Sequence, residues 1–227
     1  MTAWLNKLYE TFIETGYYTL LFQGLGNTLV ITLGALAIGV VIGVLIAVIK
    51  YFAEDSPALR PLALLCDLYT TAIRGIPVVV LLLIFYFIIL SSADGITVGI
   101  LTFGINSGAY MAELIRSGIN AVDKGQMEAA RSLGLPYWKA MQRVVLPQAI
   151  RTMIPSIINQ FIITLKDTSI LSVIGFPELV NTAKNVIANT MSSFQVWAIV
   201  GVMYLIVIAL LSRLAKQLER RLNRGRE

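Results

Sequence analysis

The chain contains 227 residues, of which 57% are hydrophobic and only 14% are charged, and its mean hydropathy is +0.77. Soluble domains carry ~25% charged residues, so this composition excludes a soluble globular domain and indicates an integral membrane protein. The sequence has no histidine and one cysteine, Cys66, which argues against imidazole bases, disulfide frameworks and thiolate metal sites. We therefore expect no metal site and no soluble catalyst.

Long apolar runs predict an all-α membrane protein with about five transmembrane helices. A helix needs ~20 mainly apolar residues to cross the bilayer. The first charge-free run, 15–49, begins too far from Met1 for a signal peptide and predicts a retained helix. The chain is thus predicted to be a single transmembrane domain, residues 1–227, with spans at about 18–50, 60–91, 95–116, 148–174 and 195–216.

The basic residues predict the orientation, because Lys and Arg in short loops stay on the cytoplasmic side. Fourteen of the 18 basic residues fall in the C-terminal tail, between the third and fourth spans, or in the turn between the first two. Lys7 and Lys184 fall outside, and Arg74 and Lys166 lie within spans. We predict an external N-terminus and a cytoplasmic C-terminus. The net charge of +5 is explained by these loops and does not indicate nucleic-acid binding.

Arg74 is a charge inside the second predicted span, where insertion costs roughly 2.5 to 3.5 kcal/mol and a functional role is the default hypothesis. The adjacent Gly75 and Pro77 predict a bend or interruption that frees backbone groups. Arg74 would then stabilise a substrate path or bind a carboxylate. The alternative is that Arg74 pairs with Asp67, two turns earlier, or extends to the membrane interface.

Two later spans each carry a polar stripe on one helix face. The members follow i, i+4, i+7 spacing: Asn106, Tyr110 and Glu113 on the third span, and Gln160, Thr164 and Asp167 on the fourth. The stripes predict one cavity between the helices, in which Asp167 could hold a substrate ammonium group. Structural hydrogen bonding between the stripes is the alternative, and for Glu113 an ion pair with Arg116 is favoured over ligand binding.

Small residues at four-residue spacing predict close helix packing. Gly39 and Gly43 lie on the first span, and Gly104, Gly108 and Ala112 lie on the third. Such residues let two helix backbones approach closely in a membrane.

The stretch 117–151 predicts two short helices joined by a corner at the cytoplasmic surface. Asp123 can cap the first helix, and Gly134 can end it in the left-handed conformation. Pro136 begins a second, amphipathic helix, which Leu146-Pro147 is predicted to stop. We call residues 117–147 the elbow. From the pattern alone, an elbow lying on the bilayer is favoured over one docked on a protein.

Several motifs resemble those of a known family. Glu128-Ala129-Ala130, followed by Gly134 and Leu146-Pro147, resembles the EAA loop of binding-protein-dependent ABC importer permeases. Three flanking motifs resemble the polar amino-acid subfamily: Arg74-Gly75-Ile76-Pro77, Asn106-Ser107-Gly108-Ala109-Tyr110-Met111-Ala112-Glu113 and Leu165-Lys166-Asp167-Thr168-Ser169. The resemblance runs from about Gly24 to Arg221. It implies a type I ABC importer permease in the bacterial inner membrane, which translocates polar or charged amino acids by alternating access.

The resemblance also implies partners and assigns roles to residues. The elbow would insert into a groove on a separate ATPase through six residues: Gln126, Glu128, Ala129, Ala130, Leu133 and Gly134. The amino-acid path or gate would be formed by seven: Asp167, Gln160, Thr164, Asn106, Tyr110, Arg74 and Glu113. The remaining partners would be a second, identical permease, an external solute-binding protein near residues 175–195, the amino-acid substrate and membrane lipid.

The energy source is predicted to lie outside this chain. No G-x-x-x-x-G-K-[ST] motif occurs in the sequence, so we expect no ATPase activity and no bound cofactor. ATP and Mg²⁺ would bind to the partner ATPase.

Three other classes remain as alternatives. An ion-coupled secondary transporter or channel would use Asp167 and Glu113 for protons or ions, but five spans leave no room for two equal inverted halves. A membrane enzyme is disfavoured, because the sequence has no histidine, no nucleophile elbow and no paired carboxylates of plausible geometry. A structural scaffold would leave the two polar stripes unexplained.

Overall fold

The computed structural model describes residues 9–223, and these residues are almost entirely helical, with no strand among them. The α-helices in this range are α1 Tyr17–Asp55, α2 Arg60–Gly75, α3 Val78–Ile84, α4 Gly95–Asn120, α5 Lys124–Ser132, α6 Tyr137–Ala140, α7 Leu146–Asp167, α8 Leu179–Thr190 and α9 Ser193–Asn223. Lys7, Arg224 and Arg226, which the charge analysis assigned to sides of the membrane, lie outside the described residues.

Short turns of other helix types link several of these elements. A π-helical segment, Glu10–Glu14, precedes α1, and a 3₁₀ turn, Pro57–Leu59, precedes α2. The π-helical segments Phe85–Ile89 and Met141–Val145 follow α3 and α6, and the 3₁₀ segment Thr168–Ile174 extends α7.

Four helical segments of the described chain are long and apolar enough to cross a membrane: Tyr17–Ala53, Gly95–Asn120, Tyr137–Ile174 and Ser193–Arg221. The pair Pro57–Gly75 and Val78–Ile89 makes a fifth if the two helices form one bent span. This arrangement confirms the predicted fold class, an all-α membrane protein with about five spans. We call the side of the elbow and the C-terminus cytoplasmic, following the charge distribution.

The second span is bent by 106° between α2 and α3, as Gly75 and Pro77 predict. Ile76 has extended backbone angles (φ −93°, ψ 131°), because the proline ring disfavours helical angles at the residue before it. The Ile76 N–H still bonds the Ala72 carbonyl at 3.1 Å, and α3 then begins with a bond from the Val80 N–H to the Pro77 carbonyl. The bend therefore lies between two intact helix ends.

The second elbow helix does not end at Leu146-Pro147, so this prediction was wrong. The chain is continuously helical from Tyr137 to Ile174. At the junction the Leu146 N–H bonds the Met141 carbonyl, an i to i+5 pattern. Pro147 directly follows this wider π turn as the second residue of α7, and its missing N–H removes one bond from the ladder without ending the helix. The second elbow helix and the fourth span thus form one continuous helix, residues 137–174, which we call the rod.

Helices α1 and α4 pack closely along their length, as the small residues predict. A Cβ atom placed on Gly43 would lie 2.6 Å from the Met111 Cβ, and one on Gly104 would lie 2.9 Å from the Ile38 Cβ. The Ser107 hydroxyl donates to the Ala35 carbonyl across the same contact at 3.2 Å. Any larger side chain at the two glycines would separate the helices, so this pair forms the fixed frame of the bundle.

Helix α8 closes the opposite, external end of the bundle. Leu179, Ala183 and Val186 pack against the ends of α1 and α9 in an apolar cluster. Two hydrogen bonds fix the start of α8 and the residues just before it to α1: the Asn27 amide donates to the Pro177 carbonyl, and the Leu179 N–H donates to the Thr28 hydroxyl.

Candidate functional site

A cavity of about 460 Å³ lies where the α2–α3 bend meets α4 and α7. Its lining residues are Arg74, Gly75, Ile76, Pro77, Val78, Asn106, Tyr110, Gln160, Ile163 and Asp167. Asn106 lies 11 residues after the start of α4 and 14 before its end, so the cavity is near the middle of that span. The structure thus brings five of the seven predicted path residues into one wall.

Arg74 is held at the cavity by two neighbours on α4. Its guanidinium carbon lies 5.4 Å from the centre of the Tyr110 ring, within the range of a cation–π contact. Its Nη1 atom lies 4.0 Å from Oε2 of Glu113, and 42% of the side chain remains exposed. Tyr69 fixes the helix that carries Arg74, because its hydroxyl donates to the Ile105 carbonyl on α4 at 2.6 Å. The cationic group is therefore positioned and still accessible.

Asp167 supplies the opposite charge from α7. The side chain is partly buried and lines the same cavity as Arg74. Among the residues that the structure describes, Asp167 forms no ion pair, although Lys166 is its neighbour in sequence. The cavity thus contains one cation and one carboxylate that do not neutralise each other.

Two amides extend the polar wall between these charges. Asn106 and Gln160 are buried, at 7% and 6% exposure, and both line the cavity. Gln160 is bonded weakly to Thr164, at 3.5 Å, and Thr164 itself is buried behind the wall. Thr164 therefore supports a lining residue and does not line the cavity.

Glu113 forms the ion pair with Arg116 that its spacing predicts, and it also lies beside Arg74. It does not line the cavity. The proposed pairing of Arg74 with Asp67 is not found, because Asp67 is bound to Lys50 on α1 instead. Sequence reasoning missed this pair, since the two residues lie on different helices and share no periodic pattern.

The elbow has the two-helix form that its sequence predicts. The Asp123 carboxylate accepts the Gly125 N–H at 2.7 Å, which confirms the N-cap. Gly134 has a φ of +83°, the left-handed conformation predicted for the end of α5. The Leu135 N–H donates to the Ala130 carbonyl at 3.2 Å and closes the turn. The corner is therefore defined by its own backbone hydrogen bonds.

The six predicted contact residues of the elbow do not all face outwards. Ala130 is only 4% exposed, so it anchors α5 to the protein. The other five are exposed, with Leu133 at 84%: Gln126, Glu128, Ala129, Leu133 and Gly134.

Ring contacts and one amide contact attach the elbow to two spans. The Tyr137 ring stacks on Tyr51 at 6.0 Å, and the Trp138 ring stacks on Phe52 at 6.1 Å, which joins α6 to the cytoplasmic end of α1. The Gln148 amide of α7 donates to the Gln126 side chain of α5 at 3.2 Å. Displacement of the elbow would therefore move α1 and α7.

Glu178 is a fully buried carboxyl that sequence reasoning left among open external residues. Both of its oxygens accept backbone N–H groups at the start of α8, from Val180 and Asn181, at 2.7 Å each. Burial raises the pKa of Glu178 to about 7, although these two hydrogen bonds and Lys184 oppose the shift. The pair Pro177-Glu178 before a helical pattern was the available signal, but burial could not be read from it.

The described residues contain no group of three or more His, Cys, Asp or Glu side chains that could hold a metal ion.

Comparison with known proteins identifies relatives over nearly the whole chain. The family described as "Binding-protein-dependent transport system inner membrane component" matches residues 39–224. The arginine transport system permease protein ArtQ of Bacillus subtilis (strain 168) is 34% identical over 206 residues, which cover 89% of this chain and 92% of that protein. The glutamine transport system permease protein GlnP of Escherichia coli (strain K12) is 38% identical over 211 residues, with 89% and 93% coverage.

A solved structure supports the same relationship. The crystal structure of an amino acid ABC transporter with histidines contains a chain that is 39% identical to this one and superposes with a TM-score of 0.84. The alignment covers 92% of this chain and 96% of that one. These similarities favour an ABC importer permease over the alternative of an ion-coupled secondary transporter or channel.

Proposed function

The chain belongs to the family of binding-protein-dependent transport system inner membrane components, and on that premise we propose its substrate and its route of energy coupling. As a member of this family it is a multi-pass inner-membrane permease subunit of an ABC importer, and it works with an ATPase and a binding protein. The proposed cargo is a free polar or charged amino acid. One observation carries this proposal: Arg74 and Asp167 line one cavity near the middle of the membrane.

The chemistry of the cavity fits a zwitterion. The Arg74 guanidinium can bind an α-carboxylate with two parallel hydrogen bonds, and the Asp167 carboxylate can accept hydrogen bonds from an α-ammonium group. Asn106 and Gln160 offer donors and acceptors for a polar side chain. The volume of about 460 Å³ falls within the ordinary range of small-molecule pockets. Names of relatives that include arginine and glutamine transport agree with this class.

The continuous helix from Tyr137 to Ile174 offers a direct path for coupling. Its first turns belong to the elbow, and its later turns carry Gln160 and Asp167. A partner ATPase that binds and hydrolyses ATP with Mg²⁺ would displace the exposed elbow residues, Glu128 and Leu133 among them. The rod would then tilt and change the side of the membrane to which the cavity opens, as in alternating access.

We further propose a second, identical permease as partner in the membrane and an external binding protein that docks near α8. The exposed Met191 follows α8 and the exposed Phe194 belongs to the first turn of α9, at 82% and 71%, and both offer apolar contact area on the predicted external side. The ATPase would bind on the opposite, cytoplasmic side, where the elbow lies.

The decisive experiment compares Asp167→Asn with wild type in the complete complex, reconstituted in vesicles. We expect uptake of the preferred amino acid to fall at least about tenfold through a raised KM, because the ammonium group loses a charged partner. The matched control is Asp94→Asn. Asp94 caps α4 at its external end, outside the cavity, and Asn is an equally good cap.

A second readout tests the zwitterion itself. Wild type should not transport the decarboxylated amine of a transported amino acid, since Arg74 would then face no carboxylate. Arg74→Ala should reduce this discrimination. Unchanged uptake in Asp167→Asn, together with unchanged discrimination in Arg74→Ala, would remove the cavity from the substrate path.

A further inference from the structure

A second cavity of about 470 Å³ lies between the cytoplasmic ends of α1, α2 and α4, away from the substrate cavity. Lys50 belongs to the last turns of α1, Arg60 begins α2, and Arg116 and Asn120 belong to the last turns of α4. These positions are the cytoplasmic ends of membrane-spanning elements. The cavity therefore lies at the depth of the inner-leaflet headgroups.

The charged lining of this cavity is mainly basic. Three cations, Lys50, Arg60 and Arg116, line it against one carboxylate, Asp67. Asp67 is bound to Lys50, and Arg116 is paired with Glu113. Arg60 is exposed and forms no ion pair with any side chain that the structure describes. Among the described side chains, Arg60 thus adds a guanidinium without an ion-pair partner to two further cations, and each of these keeps donors for another acceptor.

Apart from Tyr51 and Asn120, the rest of the lining is apolar, which a site for a small soluble anion would not need. Ala47, Ala63, Leu64, Ala112 and Ile119 make up much of the wall. The volume also exceeds what one phosphate group would fill. A ligand that suits this cavity has an anionic end and an apolar body.

The cavity borders an exposed apolar surface along α2. Leu64 lines the cavity and is 69% exposed, and Leu68, one turn further, is 66% exposed. Leu65 beside them is 61% exposed. These leucines extend from the charged end of α2 towards the membrane interior, in the direction that an acyl chain takes from its headgroup.

We propose that this cavity binds an anionic phospholipid of the inner leaflet. Arg60, Arg116 and Lys50 contact the phosphate headgroup, and an acyl chain lies along Leu64, Leu65 and Leu68. Basic pockets between membrane helices on the cytoplasmic side have the chemistry that retains such lipids. The site is independent of the proposed transport function, because it uses none of the residues of the substrate cavity.

The test measures lipid retained by the purified full-length chain. The chain is reconstituted in vesicles of equal parts phosphatidylglycerol and phosphatidylcholine, extracted in mild detergent, and analysed for bound lipid by native mass spectrometry. We expect preferential retention of phosphatidylglycerol. Arg60→Ala should lower that retention about fivefold, and Arg60→Glu about 25-fold, as expected for one and two units of charge near the membrane surface.

The matched control is Arg213→Ala, which removes an exposed cation from the cytoplasmic part of α9, outside the cavity. Its retention of phosphatidylglycerol should equal that of wild type. Equal losses in Arg60→Ala and Arg213→Ala would overturn the site in favour of general surface attraction. No preference for phosphatidylglycerol in wild type would also overturn it.

Two further measurements distinguish the lipid from other occupants of the cavity. Inorganic phosphate added at increasing concentration should not displace the lipid, and displacement would identify a soluble anion as the ligand. Addition of the partner ATPase should leave the bound lipid in place. Loss of the lipid on assembly would show that a protein segment fills the cavity and would overturn the proposal.

Discussion

Two prolines, Pro77 between α2 and α3 and Pro147 near the start of α7, have opposite effects on the chain. At Ile76-Pro77 the helix ends, the chain bends by 106°, and a polar cavity lies in the angle. At Leu146-Pro147 the helix continues through a π turn into α7. The same residue type therefore forms a site in one region and a continuous rod in the other.

The difference follows from the backbone around each proline. At the bend, Ile76 is extended and the preceding Gly75 weakens the helix end, so nothing continues the hydrogen-bond ladder. At the junction, the bond from the Leu146 N–H to the Met141 carbonyl widens the turn before Pro147. A bend frees space and polar groups for a ligand, whereas a rod conveys displacement. Variants at the bend should therefore change substrate affinity, and variants on the rod should change coupling.

The largest expected effect is at the bend. Arg74→Ala should lower kcat/KM for amino-acid uptake about 100-fold, because the substrate carboxylate loses a charge-assisted partner and Glu113 loses a neighbour. Arg74→Lys, which keeps the charge without the planar fork, should lose much less. Uptake kinetics in vesicles measure both. A loss confined to kcat, with KM unchanged, would show that Arg74 acts in the conformational change and not in substrate binding.

The next effect is on the rod. Thr152→Pro adds a second interior proline, besides the native Pro155, to α7 between the elbow and Gln160, and an interior proline costs ~3 kcal/mol of helix stability. We expect about tenfold slower uptake with an unchanged KM, while ATP hydrolysis by the complex continues. Thr152→Ala is the control, since it removes the side chain and keeps the backbone bond. Equal rates in both variants would contradict a transmitting rod.

A smaller effect is expected at the elbow surface. Glu128→Lys reverses an exposed charge on α5 and should raise the ATP consumed per transported amino acid about threefold, by weakening the contact with the ATPase. Glu219→Lys reverses another exposed charge, on α9, and should leave the ratio unchanged. Parallel measurement of hydrolysis and uptake gives the ratio. Normal coupling in Glu128→Lys would favour an elbow that only anchors to the bilayer.

The smallest effect on transport is expected for Glu178, which lies outside both the bend and the rod. Its titration should instead change the stability of the fold. Because its folded-state pKa is about 7 against an ordinary 4.5, its contribution to stability is fully present below pH 4.5 and is lost as the pH rises to 7. The melting temperature of the detergent-solubilised chain should fall by a few degrees over this interval. Glu178→Gln should flatten the fall.

The control for that titration is Asp94→Asn. Hydrogen bonds from Thr97 hold the pKa of Asp94 below its usual range, so its contribution changes with pH in the opposite sense. The Asp94→Asn variant should therefore keep the fall in melting temperature that Glu178 causes as the pH rises to 7. A melting curve of Glu178→Gln with the wild-type pH dependence would show that another group titrates.

Much of the fold was predictable because its determinants are local. The spans follow from apolar runs, the elbow caps from Asp123 and Gly134, and the bend from Gly75 and Pro77. The exception was Leu146-Pro147, where a local rule predicted a helix end and the π turn prevented it. That turn depends on packing, since Met141 and Val145 are buried in it.

The site was predictable in part for the same reason. Helical spacing put Asn106 with Tyr110 and Gln160 with Asp167, each pair on one face, but the sequence could not tell which members reach the cavity. Thr164 and Glu113 have the same spacing, and they instead support Gln160 and pair with Arg116. Partners on other helices, such as Lys50 with Asp67, leave no periodic signal.

The sequence alone determined that this protein is a membrane bundle with a cytoplasmic elbow, because hydrophobicity, charge bias and helix caps act within one segment of chain. The tertiary structure decided that Arg74 and Asp167 face one cavity, that Glu178 is buried, and that the elbow and α7 form one rod. Each of these depends on which helices meet. A residue's exposure and partners are set by neighbours distant in sequence, and only the packed bundle brings them together.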